Sequence, residues 1–98
     1  MSTAGAVQTG FRITGRVQGV FYRAWTRSVA EELGLSGSVR NLPDGSVEAH
    51  VGGAPEAVRV FESRLWEGPP AAVVEGVERL ESSGQLASGP FQILPTAG

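Results

Sequence analysis

The chain has 98 residues, 41% of them hydrophobic and 18% charged, with a net charge of −2 at pH 7. That length sets one domain over residues 1–98 as the expectation, with a single two-layer core, and the net charge argues against a general nucleic-acid binder. There is no cysteine and only one histidine, His50, so disulfides, thiolate catalysis and multi-cysteine or multi-histidine metal sites are excluded; no apolar run approaches the ~18 residues of a membrane span.

Residues 1–8 are small and polar and read as a flexible start. MSTAGAVQTG has neither the basic nor the apolar region of a signal peptide, so a cytoplasmic protein is expected. Phe11, Ile13 and Gly15 alternate with Arg12 and Thr14, the period of a half-buried strand. Gly15 to Gly19 forms a glycine-bracketed loop. From Tyr22 to Leu33 a helix is expected, because Trp25, Val29 and Leu33 recur at i, i+4, i+8 beside Tyr22 and Ala30. Gly34 sits where a helix-ending glycine belongs.

Two short strands follow, Ser38–Leu42 and Ser46–Val51, around the turn formers Pro43-Asp44-Gly45. Val47, Ala49 and Val51 face one way and Glu48 and His50 the other, a hairpin with one wet face. Pro55 opens a second helix with Glu56 in its first turn; Val58, Phe61 and Leu65 form its stripe, and Gly68-Pro69-Pro70 ends it. Residues 73–81 read as a strand whose alternation Gly76 and Arg79 blur. After a polar linker, Ser82–Gly89, Phe91-Gln92-Ile93-Leu94 reads as a short last strand. The order β-α-β-β-α-β plus a terminal strand predicts an α+β fold: a ferredoxin-like antiparallel sheet with two helices on one face.

Charge is unevenly spread. Arg12, Arg16, Arg23 and Arg27 all precede the first acid, Glu31, so the front third is cationic on an otherwise acidic chain. All eight basic residues are arginine. Arginine suits bidentate phosphate recognition, but codon bias explains the same preference.

The candidate chemistry lies in Gly15-Arg16-Val17-Gln18-Gly19-Val20-Phe21-Tyr22-Arg23, which joins a strand directly to a helix. A helix start has free N–H groups and a positive dipole end, and so attracts anions. Flanking glycines let successive N–H groups converge on one anion. Arg23, in the first helical turn, is placed to meet the same anion with its fork. An ordinary strand-to-helix turn with a surface arginine fits the spacing too. Against that, Val17, Val20, Phe21 and Tyr22 are too apolar for a solvated loop and read as anchors that hold it in one shape.

GRVQGVFYR resembles the acylphosphatase signature: G-x-V-Q-G-V, two residues usually ending in an aromatic, then Arg. Gly37-Ser38-Val39-Arg40-Asn41-Leu42-Pro43-Asp44-Gly45-Ser46-Val47 is similar to the family's second signature, with the glycine, Asn, turn glycine and valine at the same offsets. The likeness runs from about Phe11 to Ile93. It implies a hydrolase acting on carboxyl-phosphate mixed anhydrides, needing neither metal nor cofactor. It implies that Arg23 is the substrate-binding and catalytic arginine and that Asn41 orients the attacking water. It also implies that backbone N–H groups of Val17, Gln18, Gly19, Val20, Phe21 and Tyr22 hold the phosphate oxygens. Two departures flank Asn41: Ser38, where the family often has an aromatic, and Leu42, where it often has a polar residue. The expected partner is a small acyl phosphate, with no nucleic acid, no membrane and a monomeric state. The competing class is a non-catalytic anion- or RNA-binding module on the same fold, though the hairpin strands lack the exposed aromatics that RNA binding uses. A third reading, the acylphosphatase-like module of a carbamoyl-phosphate-using maturation protein, belongs to much longer chains with zinc-finger cysteines.

Other residues read as structural. His50 is on the polar side of a strand, Asp44 in a turn, and Trp25 and Trp66 on or beside packed stripes. Arg16 is a solvated or rim charge. Thr26 is one helical turn past Tyr22, where it either packs or steadies the loop or Asn41.

Overall fold

A computed structural model of the chain describes residues 6–81 and 89–96. Its elements are β1 (Val7–Arg16), α1 (Tyr22–Glu32), β2 (Ser36–Asn41), β3 (Val47–Gly53), α2 (Pro55–Glu67), β4 (Val73–Leu80) and β5 (Gln92–Ile93). They form the ferredoxin-like arrangement: a five-stranded sheet in the order β4-β1-β3-β2-β5, with both helices packed against it. Neighbours pair antiparallel except β5, which runs parallel to β2, so the terminal strand makes the sheet mixed. β1 begins at Val7, and Val7 and Gln8, read from the sequence as part of a flexible start, pair with Gly53 and Gly52; residues 1–5 lie outside the described residues, as does all of the expected linker Ser82–Gly89 except Gly89. Among the described residues no helix is long and apolar enough to cross a membrane.

Strand alternation puts Phe11 and Ile13 of β1, Val39 of β2, and Val47, Ala49 and Val51 of β3 on one face, all buried. Register aligns them in rows, with Ala49 opposite both Phe11 and Val39. α2 adds Val58, Phe61 and Leu65 from its i, i+3, i+7 stripe, and α1 adds Val29 and Ala30. The Phe11 and Phe61 rings meet at 5.9 Å between centroids. Trp66 falls just off the α2 stripe and is 50% exposed; the expectation that it packs fails, because one residue past Leu65 is a turn of about 100° around the helix.

Both helices stop where the sequence puts a glycine. After α1, Gly34 takes a left-handed φ of 70°. Leu35 N–H then donates to Ala30 O at 2.9 Å and Gly34 N–H to Glu31 O at 3.2 Å, the paired bonds of a Schellman ending. β4 is irregular for an identifiable reason. Thr14 pairs with Gly76 but Gly15 pairs with Val74, so Glu75 is an extra residue opposite the end of β1. The bulge lets Val74 and Val77, three apart, both pack on the core, which is why simple alternation blurs there.

The other sheet face is polar. Arg40 Nε donates to Glu48 Oε1 at 2.8 Å across the β2–β3 pair. Arg12 meets Asp44 at 2.5 Å, with Glu78 at 3.8 Å. Asp44 also accepts from the Ser46 backbone N–H and hydroxyl, which close the hairpin turn. The Ser46 hydroxyl first, and the Arg12 guanidinium with it, hold the Asp44 carboxyl well below the usual range. Arg12 is thus neutralised, and the cationic front third reduces to Arg16, Arg23 and Arg27, none of which forms an ion pair among the described residues.

Candidate active site

The bulge in β4 lies beside the end of β1, whose last two pairs, Gly15 with Val74 and Arg16 with Val73, follow it. Gly15 sits there with φ 119°, and a Cβ would run into the Val73 carbonyl oxygen and come within 2.7 Å of Glu75 N. No other residue fits that position, so the loop start is fixed by backbone sterics. Val17 then turns inward and is buried. Gln18 reaches the hairpin: its amide nitrogen donates to Leu42 O at 2.9 Å and to Ser46 O at 2.8 Å. Those two carbonyls close the base of the β2–β3 turn, directly after Asn41. The Gln18 side chain therefore ties the loop to the strand end that carries Asn41.

Gly19 turns the chain with φ 74°, and Phe21 follows in the left-handed region at φ 65°, ψ 23°. A non-glycine residue there costs about 1–3 kcal/mol. Phe21 is also 83% exposed, so the expectation that it anchors the loop is corrected: the anchors are Val17 and Tyr22, with Val20 partly buried against the core. Tyr22 is the first helical residue, and its hydroxyl donates to Leu65 O at 2.6 Å, tying the start of α1 to α2. Its ring stacks obliquely beside Trp25 at 5.4 Å. Thr26 Oγ1 donates to Tyr22 O at 2.7 Å; it steadies the first helical turn and makes no bond to Asn41.

The consequence is a run of idle donors. No side chain caps α1, and its first turn holds no acid, whereas α2 carries Glu56 there. From Val17 onward, the first backbone N–H to find a described backbone carbonyl outside the regular elements is that of Trp25, on Phe21 O at 3.0 Å. Among the described residues nothing compensates the positive end of α1. A pocket of about 320 Å³ opens over this junction, lined by Val17, Gly19, Phe21, Tyr22, Arg23 and Ala24 on the loop side. Asn41 from the end of β2 and Ile93 from β5 complete it.

Arg23 is half-buried and makes no hydrogen bond or ion pair among the described residues, unlike Arg12, Arg40, Arg64 and Arg79, each matched to an acid. The Asn41 side-chain oxygen is buried with no hydrogen-bond partner among the described residues. Leaving such an acceptor unmet costs about 1–3 kcal/mol, so it marks a place where a water or ligand belongs. A cup of N–H donors, an unmatched guanidinium and an orphaned amide acceptor on one wall can grip a tetrahedral anion and hold a water beside it.

Of the residues singled out in the sequence, Val17, Gly19, Phe21, Tyr22, Arg23 and Asn41 meet at this pocket. Gln18 and Val20 do not line it; Gln18 turns to the hairpin, and Val20 lines a neighbouring apolar depression. Arg16 is exposed and lies off the pocket. His50 is on the opposite sheet face, its ring lying over Gly10 and its Nε2 3.7 Å from Glu48 Oε2. Sequence reasoning missed Ala24, Ile93 and the bridging Gln18 side chain. For Gln18 a signal existed: one amide side chain inside an otherwise apolar Val17–Val20 segment has to find polar partners.

Comparison with known proteins follows the same line. The acylphosphatase family model matches residues 9–93. An acylphosphatase of Rhizobium meliloti (strain 1021) is 51% identical over 82 residues, covering 84% of this chain and 86% of that protein. In three dimensions the chain is similar to an acylphosphatase from Coxiella burnetii, with a TM-score of 0.85 and 36% identity, over 92% of this chain and 94% of that one. It is also similar to the acylphosphatase from Bacillus subtilis, with a TM-score of 0.83 and 31% identity over 89% and 97% of the two chains.

Proposed function

The chain belongs to the acylphosphatase family, and from that premise we propose that it hydrolyses carboxyl-phosphate mixed anhydrides to a carboxylate and inorganic phosphate, with Arg23 and Asn41 as its catalytic residues. The observation that carries this is the pocket at the β1–α1 junction, where unused N–H groups, an unmatched Arg23 and the orphaned Asn41 oxygen share one wall-to-wall space.

Phosphoryl transfer proceeds through a loose transition state with charge on three equatorial oxygens. Backbone N–H groups of the loop, foremost those of the pocket-lining Val17, Gly19, Phe21 and Tyr22, and the forked guanidinium of Arg23 stabilise those oxygens where they sit. The Asn41 oxygen accepts a hydrogen bond from the attacking water and aims it along the line of the breaking bond. An amide takes up no proton at neutral pH, so Asn41 is an aligner and not a base. The water oxygen bonds to phosphorus, the bridging P–O bond breaks, and its electron pair leaves on the carboxylate. One water proton ends on a phosphate oxygen, giving R–COO⁻ and H₂PO₄⁻ from R–CO–OPO₃²⁻ and H₂O. The carboxylate is a weak base and needs no general acid, which fits a pocket whose lining holds no histidine or carboxylate.

The same reading takes the protein as a cytoplasmic monomer acting on a small molecule, with no nucleic-acid ligand. Among the described residues the polar sheet face, with Arg12, Arg40, Glu48 and His50, presents no Phe, Tyr or Trp for stacking. The test is phosphate release from acetyl and benzoyl phosphate beside a simple alkyl phosphate ester. Turnover of both anhydrides and none of the ester is the expected result, because an alkoxide cannot leave without protonation. Binding of phosphate with no turnover of either anhydride would replace this reading with that of an anion-binding module.

A further inference from the structure

Beside the phosphate pocket lies a second depression of about 420 Å³, framed by Val20, Phe21, Ala24, Trp25, Pro69 and Ala71. No charged side chain lines it. The two spaces share Phe21 and Ala24 as a common wall. We propose that this depression is the acyl subsite, and that the enzyme prefers acyl phosphates with an apolar acyl chain over those with a small or charged one. The proposal rests on the acyl phosphate reading above and adds to it the class of acyl group.

In-line displacement fixes where the acyl group must go. The attacking water and the departing carboxylate stand on opposite sides of phosphorus. Asn41 lines only the first space, and Pro69 and Ala71 only the second. Sheet order separates them in the same way: β2, which ends at Asn41, lies on one side of β1, and β4, which follows residues 69–72, lies on the other. With the water held at Asn41, the leaving group exits over the Phe21–Ala24 wall onto the apolar shelf.

The shelf is also built to persist. Trp25 meets the Tyr22 ring at 5.4 Å between centroids, and the Arg64 guanidinium lies over the Trp25 ring, 5.8 Å from its centroid. The turn at Pro69 is closed by Ala72 N–H on Pro69 O at 2.9 Å. Phe21 keeps a left-handed backbone and a largely exposed ring at the junction of the two spaces, two unfavourable features for packing alone. A substrate chain lying against that ring would account for its exposure.

A series of straight-chain acyl phosphates tests this, because alkanoate leaving groups have nearly constant basicity and only chain length varies. Each methylene that reaches the shelf should raise kcat/KM up to about fourfold, the equivalent of ~0.8 kcal/mol. Hexanoyl phosphate should therefore exceed acetyl phosphate by about 10- to 100-fold, allowing for an open shelf that buries the chain only in part. In Phe21→Ser and in Ala71→Asp, which alter opposite ends of the shelf, the hexanoyl-to-acetyl ratio should fall toward unity. The ratio cancels any loss of folded enzyme or of phosphate grip common to both substrates. A ratio near one in the parent protein, or one that neither substitution changes, would overturn the proposal. So would an equilibrium dimer that Ala71→Asp dissociates, since the shelf would then be a subunit contact. Absence of turnover with acetyl phosphate itself would instead count against the parent reading.

Discussion

Arg23 and Asn41 make different demands on the chemistry, and their substitutions should separate. Arg23 has no acid partner among the described residues and lines the pocket, so in the proposed mechanism it contributes to both binding and transition-state charge. Arg23→Ala should lower kcat/KM by at least the roughly 10²–10³-fold seen for a single preorganised donor. Arg23→Lys should recover little of it, because a point charge cannot replace a planar fork. In the proposed mechanism Asn41→Ala removes only the water aligner. Its signature should be a large fall in kcat with KM and inhibition by inorganic phosphate nearly unchanged. Steady-state kinetics with acetyl phosphate, with phosphate as competitive inhibitor, reads both. The Asn41 expectation fails if phosphate affinity falls as far as turnover does. Removing the orphaned oxygen should also leave the fold no less stable, since that oxygen gains nothing from the protein.

At the scale of elements, the site depends on three pieces staying in register: the loop, the β2–β3 hairpin and the start of α1. Gln18 joins the first two with a pair of bonds, each worth about 0.5–1.5 kcal/mol net. Gln18→Ala should therefore cost about 1–2 kcal/mol in chemical denaturation and lower kcat more than phosphate affinity, because Asn41 loses its tether while the N–H cup remains. An equal loss in both quantities would show the loop itself collapsing. The hairpin turn adds a pH term. The folded carboxyl of Asp44 lies below its unfolded value near 3.9; its stabilising contribution is thus present above that value and lost as pH falls through the carboxylate range. Asp44→Asn should lower the urea midpoint at pH 7 and make the fall toward about pH 3 shallower. These elements were legible in the sequence to different degrees. The helices were plain because Val29, Ala30, Phe61 and Leu65 keep a 3.6-residue period on buried faces. The β4 strand blurred because Glu75 is a bulge, which no local pattern announces. Phe21 defeats the pattern because an apolar residue implies burial, whereas its exposure accompanies a left-handed backbone that the sequence does not encode by a glycine. Asn41 and Arg23 could be named only through the likeness to a family; their meeting at one pocket is a product of strand order.

For the molecule as a whole, the active-site junction and the core share a fastening, the Tyr22 hydroxyl on Leu65 O. Tyr22 is almost fully buried, and burial pushes its phenol well above the ordinary value near 10. A raised folded value means the stabilisation is complete below the unfolded pKa and is lost as pH climbs past it, because only the unfolded chain gives up the proton readily. This chain isolates that effect unusually well. It has one tyrosine, no cysteine and no lysine, and arginine stays charged throughout, so between about pH 9 and 12 Tyr22 is the one side chain that titrates. The parent protein should lose stability steadily above about pH 10, and tyrosinate absorbance should rise together with the loss of helical circular dichroism. Tyr22→Phe leaves the Leu65 carbonyl unmet in the core and should be about 1–3 kcal/mol less stable at neutral pH. It should nevertheless lack the alkaline decline, so the two stability curves converge as pH rises. Tyrosinate formed near pH 10 in a chain that keeps its full circular dichroism would mean that the phenol is open to solvent and the α1–α2 fastening is not made.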